Sequence, residues 1–118
     1  AMANRRGDVM QRMGSVIGIR PEKIATYKEL HAAAWPGVLD RLSKSNIRNF
    51  SIYLKQPENL LFSYFEYHGT DFAADSAAIA ADPVTRDWWT HTDPCQEPLE
   101  TRKEGEWWAS MEEVFHHD

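Results

Sequence analysis

A tyrosine and a histidine stand one helical turn apart in the stretch TYKELHAAAWP, residues 26–36. Apolar residues recur around them at helical spacing, so the stretch predicts an amphipathic helix whose inward face carries both side chains. Tyr27 and His31 are four residues apart and therefore point the same way. Imidazole suits proton transfer near neutral pH, and a neighbouring phenol adds a hydrogen-bonding group. The pair is either a candidate acid/base site or a satisfied structural pair, since an unpaired buried polar tip costs about 1–3 kcal/mol.

Tryptophan is abundant: the chain has five, of which four stand in the adjacent pairs Trp88–Trp89 and Trp107–Trp108. Neighbouring residues of a helix diverge by about 100°, so only one ring of Trp88–Trp89 can pack fully on the core. The other ring is then an exposed aromatic or the wall of a binding site. Aromatic walls with a few polar groups are typical of sites for neutral small molecules such as sugars.

Other catalytic patterns are missing from the sequence. It contains no glycine-rich phosphate loop, no GxSxG and no CxxC, so we expect no nucleotide cofactor, no acyl transfer and no zinc site. Cys95 has no adjacent histidine to activate its thiol. His116 and His117 are neighbours on a predicted strand and point to opposite faces, so they do not readily bind one metal ion.

Composition limits the class of protein. The 118 residues predict one domain over 1–118, with Ala1 ahead of Met2 as a cloning remnant. A net charge of −5 disfavours binding to nucleic acid or an anionic membrane, which needs clustered positive charge. No apolar run reaches membrane-spanning length and no signal-peptide core is visible. The single cysteine excludes an internal disulfide, and we expect a cytoplasmic protein.

The elements that must position these side chains follow from hydrophobic periodicity and from proline and glycine. They are a strand over 9–19, a helix over 21–44 interrupted at Pro36, a hairpin of strands over 47–54 and 60–68, a helical region opening at Gly69 and Asp71 and interrupted at Pro83, a loop over 93–106 and a strand over 107–117.

The order βαββαβ predicts an α+β, ferredoxin-like fold, a four-stranded antiparallel sheet with helices on one face. The strands lack clean apolar/polar alternation, so both sheet faces are expected to be partly buried. Because the helices cover only one face, we expect a homodimer that packs sheet against sheet.

Several blocks occur in an order and at a spacing that point to one family. They are Tyr27, His31 and Trp35–Pro36; the "RN-aromatic-SIYL" run from Arg48 to Leu54; Asn59 to Phe62; "RDWW" from Arg86 to Trp89; and "EEVFH" from Glu112 to His116. In these blocks the sequence resembles L-rhamnose mutarotase and its relatives, from about residue 11 to residue 117.

The resemblance implies a dimeric ferredoxin-like α+β barrel that interconverts the α and β anomers of a 6-deoxy-L-sugar without a cofactor. Mutarotation oxidises nothing and requires no metal ion. The resemblance also implies that His31 is the acid/base group and that Tyr27 binds the sugar. The paired tryptophans of the family match Trp88 and Trp89. Mutarotation needs a proton to leave the anomeric hydroxyl and another to reach the ring oxygen, which fits an imidazole as the acid/base.

Phe50 departs from the family pattern, which often has a sugar-contacting tyrosine at this position. The aromatic ring remains, but the hydroxyl is missing, so an altered sugar preference is expected. The "PCQEP" and "GEWW" loop also resembles relatives that act on L-fucose. Two alternatives remain open: a cofactor-independent monooxygenase or haem-degrading enzyme using His31, Asn49 and Trp89, and a non-catalytic sugar-binding module.

Overall fold

A computed structural model describes residues 10–118 of the chain. The expectation about Ala1 and the predicted strand start at residue 9 fall outside this range. None of the helices within residues 10–118 is both long and apolar enough to cross a membrane.

The elements follow the predicted order, with short additions near the carboxyl terminus. In chain order they are β1 (Gln11–Ile19), α1 (Ile24–Ala32), α2 (Pro36–Lys44), β2 (Ile47–Lys55), β3 (Leu60–Tyr67), α3 (Phe72–Ala81), α4 (Pro83–Thr92), β4 (Gln96–Glu97) and β5 (Ala109–Met111). Single 3-10 turns precede α1 at Pro21–Lys23 and β4 at Asp93–Cys95.

The sheet is five-stranded, with the order β2-β3-β1-β4, and β5 pairs with β1. All pairings are antiparallel, and Ile17 of β1 lies opposite Leu61 of β3. β4 pairs with β1 at Gly18 and Ile19, and β5 pairs with it from Gly14 to Val16. The predicted α+β, ferredoxin-like arrangement is confirmed, with the fourth sheet position divided between two short strands.

The predicted final strand over 107–117 is wrong in extent, because only Ala109–Met111 form a strand. Residues 112–118 follow as an irregular segment in which every residue is exposed. The predicted loop over 93–106 also contains a 3-10 turn and the two-residue strand β4. Two residues are too few for an alternating pattern, so β4 carries no strand signal in the sequence.

The predicted helix over 21–44 is divided into α1 and α2 at the expected place. Pro36 opens α2 at a position where its missing N–H leaves no hydrogen bond unmade, and Trp35 before it is extended. The break changes which side chains face inward: Val38 is buried, whereas Leu39 is 51% exposed. The apolar side chain of Leu39 therefore does not take part in the core, although helical spacing alone would place it on the inward face.

The core lies between the sheet and the helices. Ile17, Ile19 and Leu61 pack with Tyr27 of α1 and with Cys95, which defines the inner face of the sheet. Further along that face, Tyr67 contacts Phe72 of α3 edge to face. Both helical regions therefore lie over the same sheet face.

Candidate active site

His31 lies at the end of α1, half-buried, with one ring nitrogen held by the backbone of its own helix. Its Nδ1 is 2.8 Å from the carbonyl oxygen of Tyr27, one turn earlier. A carbonyl oxygen can only accept, so Nδ1 carries the hydrogen and donates it. In the neutral imidazole the lone pair is therefore on Nε2, which can accept a proton.

Aromatic rings surround His31 and fix its orientation. The Tyr27 ring lies 4.2 Å away between centroids, and the Trp88 ring meets His31 edge to face at 5.3 Å. Trp35 continues the cluster through edge contacts with Trp88 and with His91. Helices α1 and α4 and the turn before α2 therefore supply one aromatic wall beside the imidazole.

Tyr27 is only 5% exposed, and its hydroxyl has a specific partner. The side-chain amide of Gln96, in β4, donates from Nε2 to the phenolic oxygen over 3.1 Å. Burial raises the pKa of Tyr27 to about 12, although the Gln96 hydrogen bond acts in the opposite direction. The phenol therefore keeps its proton at neutral pH.

The two predicted tryptophans separate as adjacent helix residues should. Trp88 is 6% exposed and joins the cluster around His31, whereas Trp89 is 37% exposed. Trp89 lines a shallow depression on the outer side of α4 with Arg86 and Asp93. The structure thus brings Trp88 to His31 and leaves Trp89 apart from it.

Phe50 lies on the helix side of the sheet, although it is 43% exposed. Its ring contacts Phe65 of β3, and the Phe65 ring stacks on Phe72. A bulge at Asn49, with φ of 51°, interrupts the β2–β3 register just before this position. Phe50 makes no ring contact with Tyr27 or His31 within the described chain, so it borders the inner face at a distance from the cluster.

Gln96 is the residue of this site that the sequence did not indicate. It is 5% exposed, and its partner Tyr27 is 69 residues away in the chain, so no local motif connects the two. Its strand, β4, was also absent from the predicted elements. The only sequence signal is an uncharged polar residue in the "PCQEP" loop.

The cysteine and the possible metal-binding side chains are weaker candidates for a catalytic role than His31. Cys95 is 2% exposed, and burial raises the pKa of its thiol, which disfavours the nucleophilic thiolate. Within residues 10–118, no three histidine, cysteine, aspartate or glutamate side chains are grouped so that they could hold a metal ion.

A family model and individual relatives match this chain under the same description. The family described as L-rhamnose mutarotase matches residues 12–117. The chain is 27% identical over 115 residues to an L-rhamnose mutarotase from Oceanobacillus iheyensis, covering 92% of this chain and 100% of that protein. It is 34% identical over 80 residues to one from Mannheimia succiniciproducens, covering 68% and 74% respectively.

The fold is also matched by a solved structure. The crystal structure of an L-rhamnose mutarotase from Formosa agariphila superposes with a TM-score of 0.70 at 20% identity. The match covers 92% of this chain and 99% of that one. At this identity the likeness establishes the shared fold.

Proposed function

Because the chain belongs to the L-rhamnose mutarotase family, whose members are isomerases, we propose that it interconverts the α and β anomers of a 6-deoxy-L-hexose. L-Rhamnose is the first candidate substrate, since it is the sugar in the names of the relatives. L-Fucose is the second, because of the likeness of the 94–108 loop to relatives that act on it.

The observation that carries the mechanism is the 2.8 Å contact between His31 Nδ1 and the Tyr27 carbonyl. It leaves Nε2 as the group that exchanges a proton with the sugar. As Nε2 takes the proton of the anomeric hydroxyl, the bond from the anomeric carbon to the ring oxygen breaks, the ring oxygen takes up a proton to become a hydroxyl, and an open-chain aldehyde forms. After the aldehyde rotates, that hydroxyl loses its proton as it attacks the carbonyl carbon, and the carbonyl oxygen takes its proton back from His31, which closes the ring in the other anomeric form.

The surroundings of His31 suit a neutral sugar. Tyr27, Trp88 and Trp35 form an aromatic wall beside the imidazole, and no charged side chain takes part in these ring contacts. His31 is half-buried and Phe50 on the same side of the sheet is exposed, so the helices do not seal this side. A sugar ring can pack its apolar side on such a wall while its hydroxyls bond outward.

Anomer exchange measured by saturation-transfer NMR tests this proposal. L-Rhamnose and L-fucose are compared with L-mannose and L-galactose, which carry a 6-hydroxyl, and buffer without protein gives the spontaneous rate. Acceleration with a 6-deoxy sugar supports a mutarotase. Sugar binding without acceleration would indicate a non-catalytic sugar-binding module instead. A protein that neither binds these sugars nor accelerates their exchange would point to the cofactor-independent monooxygenase alternative. The family match favours the first outcome.

A further inference from the structure

A continuous chain of side-chain hydrogen bonds leads to the Tyr27 hydroxyl from the loop before β5. The indole Nε1 of Trp107 donates to Gln96 Oε1 over 2.7 Å. Gln96 Nε2 in turn donates to the Tyr27 oxygen over 3.1 Å. Gln96 is buried, Tyr27 is buried, and Trp107 is 42% exposed, so the chain of bonds runs inward from the surface to the aromatic cluster.

The chemistry of these groups fixes the direction of every bond. An indole N–H can only donate, so it must face the amide oxygen of Gln96. The NH₂ group of that amide then faces Tyr27 and can only donate to it. Tyr27 therefore uses an oxygen lone pair for Gln96, and its own proton remains available. Within residues 10–118, no side-chain or backbone acceptor bonds that proton.

We propose that Gln96, held by Trp107, is a positioning residue that commits the Tyr27 hydroxyl to donating, and that Tyr27 donates to the ring oxygen of the sugar. The ring oxygen is the sugar oxygen that carries no proton and can only accept, so it matches a group that must donate. A buried donor without an acceptor is unfavourable, and the ring oxygen would satisfy it. This inference rests on the proposed mutarotase function.

The proton balance of the reaction then closes with two groups. His31 Nε2 takes the proton of the anomeric hydroxyl, and the anomeric carbon becomes a carbonyl as its bond to the ring oxygen breaks. The electron pair of that bond goes to the ring oxygen, which takes the Tyr27 proton. After rotation of the aldehyde, the new sugar hydroxyl returns its proton to the tyrosinate as it attacks the carbonyl. The carbonyl oxygen takes the proton back from His31.

The substitution Gln96→Glu tests the direction of the bonds with little change in size. A carboxylate accepts from both Trp107 and Tyr27, so it would draw the Tyr27 proton away from the sugar. We expect anomer exchange to fall by about 100-fold or more, as for loss of a general acid. Trp107→Phe removes the indole donor, so the Gln96 amide can rotate by half a turn and present its oxygen to Tyr27. We expect this variant to lose less of the exchange rate than Gln96→Glu. Gln11→Glu, the same substitution at an exposed position of β1, is the matched control and should exchange at the wild-type rate.

A double variant separates positioning from a general disturbance. If Gln96 acts through Tyr27, Gln96→Glu in the Tyr27→Phe background should cause no further loss. A further loss of tenfold or more would show that Gln96 acts elsewhere and would overturn the inference. If Gln96→Glu does not fold, as judged by circular dichroism, Trp107→Phe with and without Tyr27→Phe gives the same comparison.

Binding of an inert analogue adds a readout that protein stability does not affect. In 5a-carba-L-rhamnose a methylene replaces the ring oxygen, so this compound cannot mutarotate or accept from Tyr27. We expect wild-type protein to bind it about two- to tenfold more weakly than L-rhamnose, as for one neutral hydrogen bond, and Tyr27→Phe to bind both equally. Equal affinities in the wild type would overturn the inference even if exchange is fast, whereas a wild type without exchange would instead refute the proposed function.

Discussion

The backbone carbonyl of Tyr27 decides which nitrogen of His31 can take up a proton. The contact belongs to the last turn of α1, where the histidine ring folds back on its own helix. The sequence spacing of four residues is therefore responsible both for the ring contact between Tyr27 and His31 and for the tautomer of the imidazole.

The substitution His31→Asn is the sharpest test at this position. The amide nitrogen of asparagine can replace Nδ1 in the bond to the Tyr27 carbonyl, whereas nothing replaces Nε2. We expect anomer exchange to fall by about 10²–10⁴-fold, with thermal stability and sugar affinity largely kept. NMR exchange rates and a binding titration measure the two effects. His68→Asn, on an exposed histidine near the other end of the sheet, is the control; near-wild-type exchange in His31→Asn would disprove the assignment.

The candidate site could be predicted where its contacts are local. Tyr27, His31 and the divergence of Trp88 from Trp89 all follow from helical periodicity. Gln96 could not be found this way, because its bonds to Tyr27 and Trp107 depend on how two distant segments meet at the sheet edge. Whether His31, Tyr27, Phe50, Trp88 and Trp89 act on a sugar stays a prediction.

Phe50 offers a test of sugar preference. On the helix side of β2 it packs against Phe65 without a hydrogen-bonding group. One neutral hydrogen bond contributes about 0.5–1.5 kcal/mol, so Phe50→Tyr should change relative exchange rates among 6-deoxy-L-sugars by no more than about tenfold. Competition experiments with L-rhamnose and L-fucose measure this ratio. Phe65→Tyr, a matched change on the adjoining ring, shows whether the effect depends on position, and an unchanged ratio in Phe50→Tyr would exclude a role in recognition.

At the scale of elements, Asp82 sets the junction that places Trp88. It ends α3 and caps α4, accepting at Oδ2 from both the backbone N–H and the hydroxyl of Thr85 at 2.9 Å each. The backbone and side-chain hydrogen bonds from Thr85 lower the pKa of Asp82. Thr85 is 3% exposed, so the cap joins the start of α4 to the interior.

We expect Asp82→Ala to lower the midpoint of thermal unfolding at pH 7 by about 5 °C, because the first turn of α4 loses its cap. A carboxyl whose pKa is lower in the folded protein stabilises it above the unfolded value, near 3.8, and loses that effect as the pH falls through the folded value. The difference from wild type should therefore narrow on acidification. Melting curves at several pH values check this.

Asp82→Asn is the control for the cap, since an asparagine oxygen can accept the same two bonds without ionising. It should stay close to wild type at pH 7 and show a smaller pH dependence. A difference between wild type and Asp82→Ala that stays constant down to pH 3 would contradict the role of the charge.

The last strand shows where local sequence stops determining an element. Its composition favours a strand through residue 117, but β5 ends at Met111, opposite Gly14. In the same register Glu113 would lie opposite Arg12, but the two residues are joined only by a side-chain ion pair, with 3.1 Å between Arg12 Nε and Glu113 Oε1. In the described part of the chain β1 begins at Gln11, so these residues offer the segment after Glu113 little further strand edge with which to pair. The length of β5 is therefore determined by its pairing with β1, and the local sequence pattern contains no information about that pairing.

At the scale of the whole molecule, no helix within residues 10–118 covers the outer face of the sheet. Tyr53, Phe62 and Val16 lie side by side across β2, β3 and β1, on the side opposite the core residues Leu61 and Ile17. Tyr53 is 67% exposed, and beyond β5 Val114 and Phe115 are 87% and 80% exposed. The apolar row of Tyr53, Phe62 and Val16 on an uncovered sheet face is typical of protein–protein contacts.

We therefore expect a homodimer that packs these outer faces together, and Tyr53→Lys should weaken it. Placing a charge within an apolar interface costs desolvation energy that the lysine cannot recover. Because Tyr53 is exposed in the protomer, the substitution should leave the protomer fold intact. Sedimentation velocity at micromolar concentration should show a dimer for the wild type and a shift toward monomer for Tyr53→Lys. Leu39→Lys, at an exposed apolar position on the helix side, should remain dimeric; a stable wild-type monomer would refute the prediction.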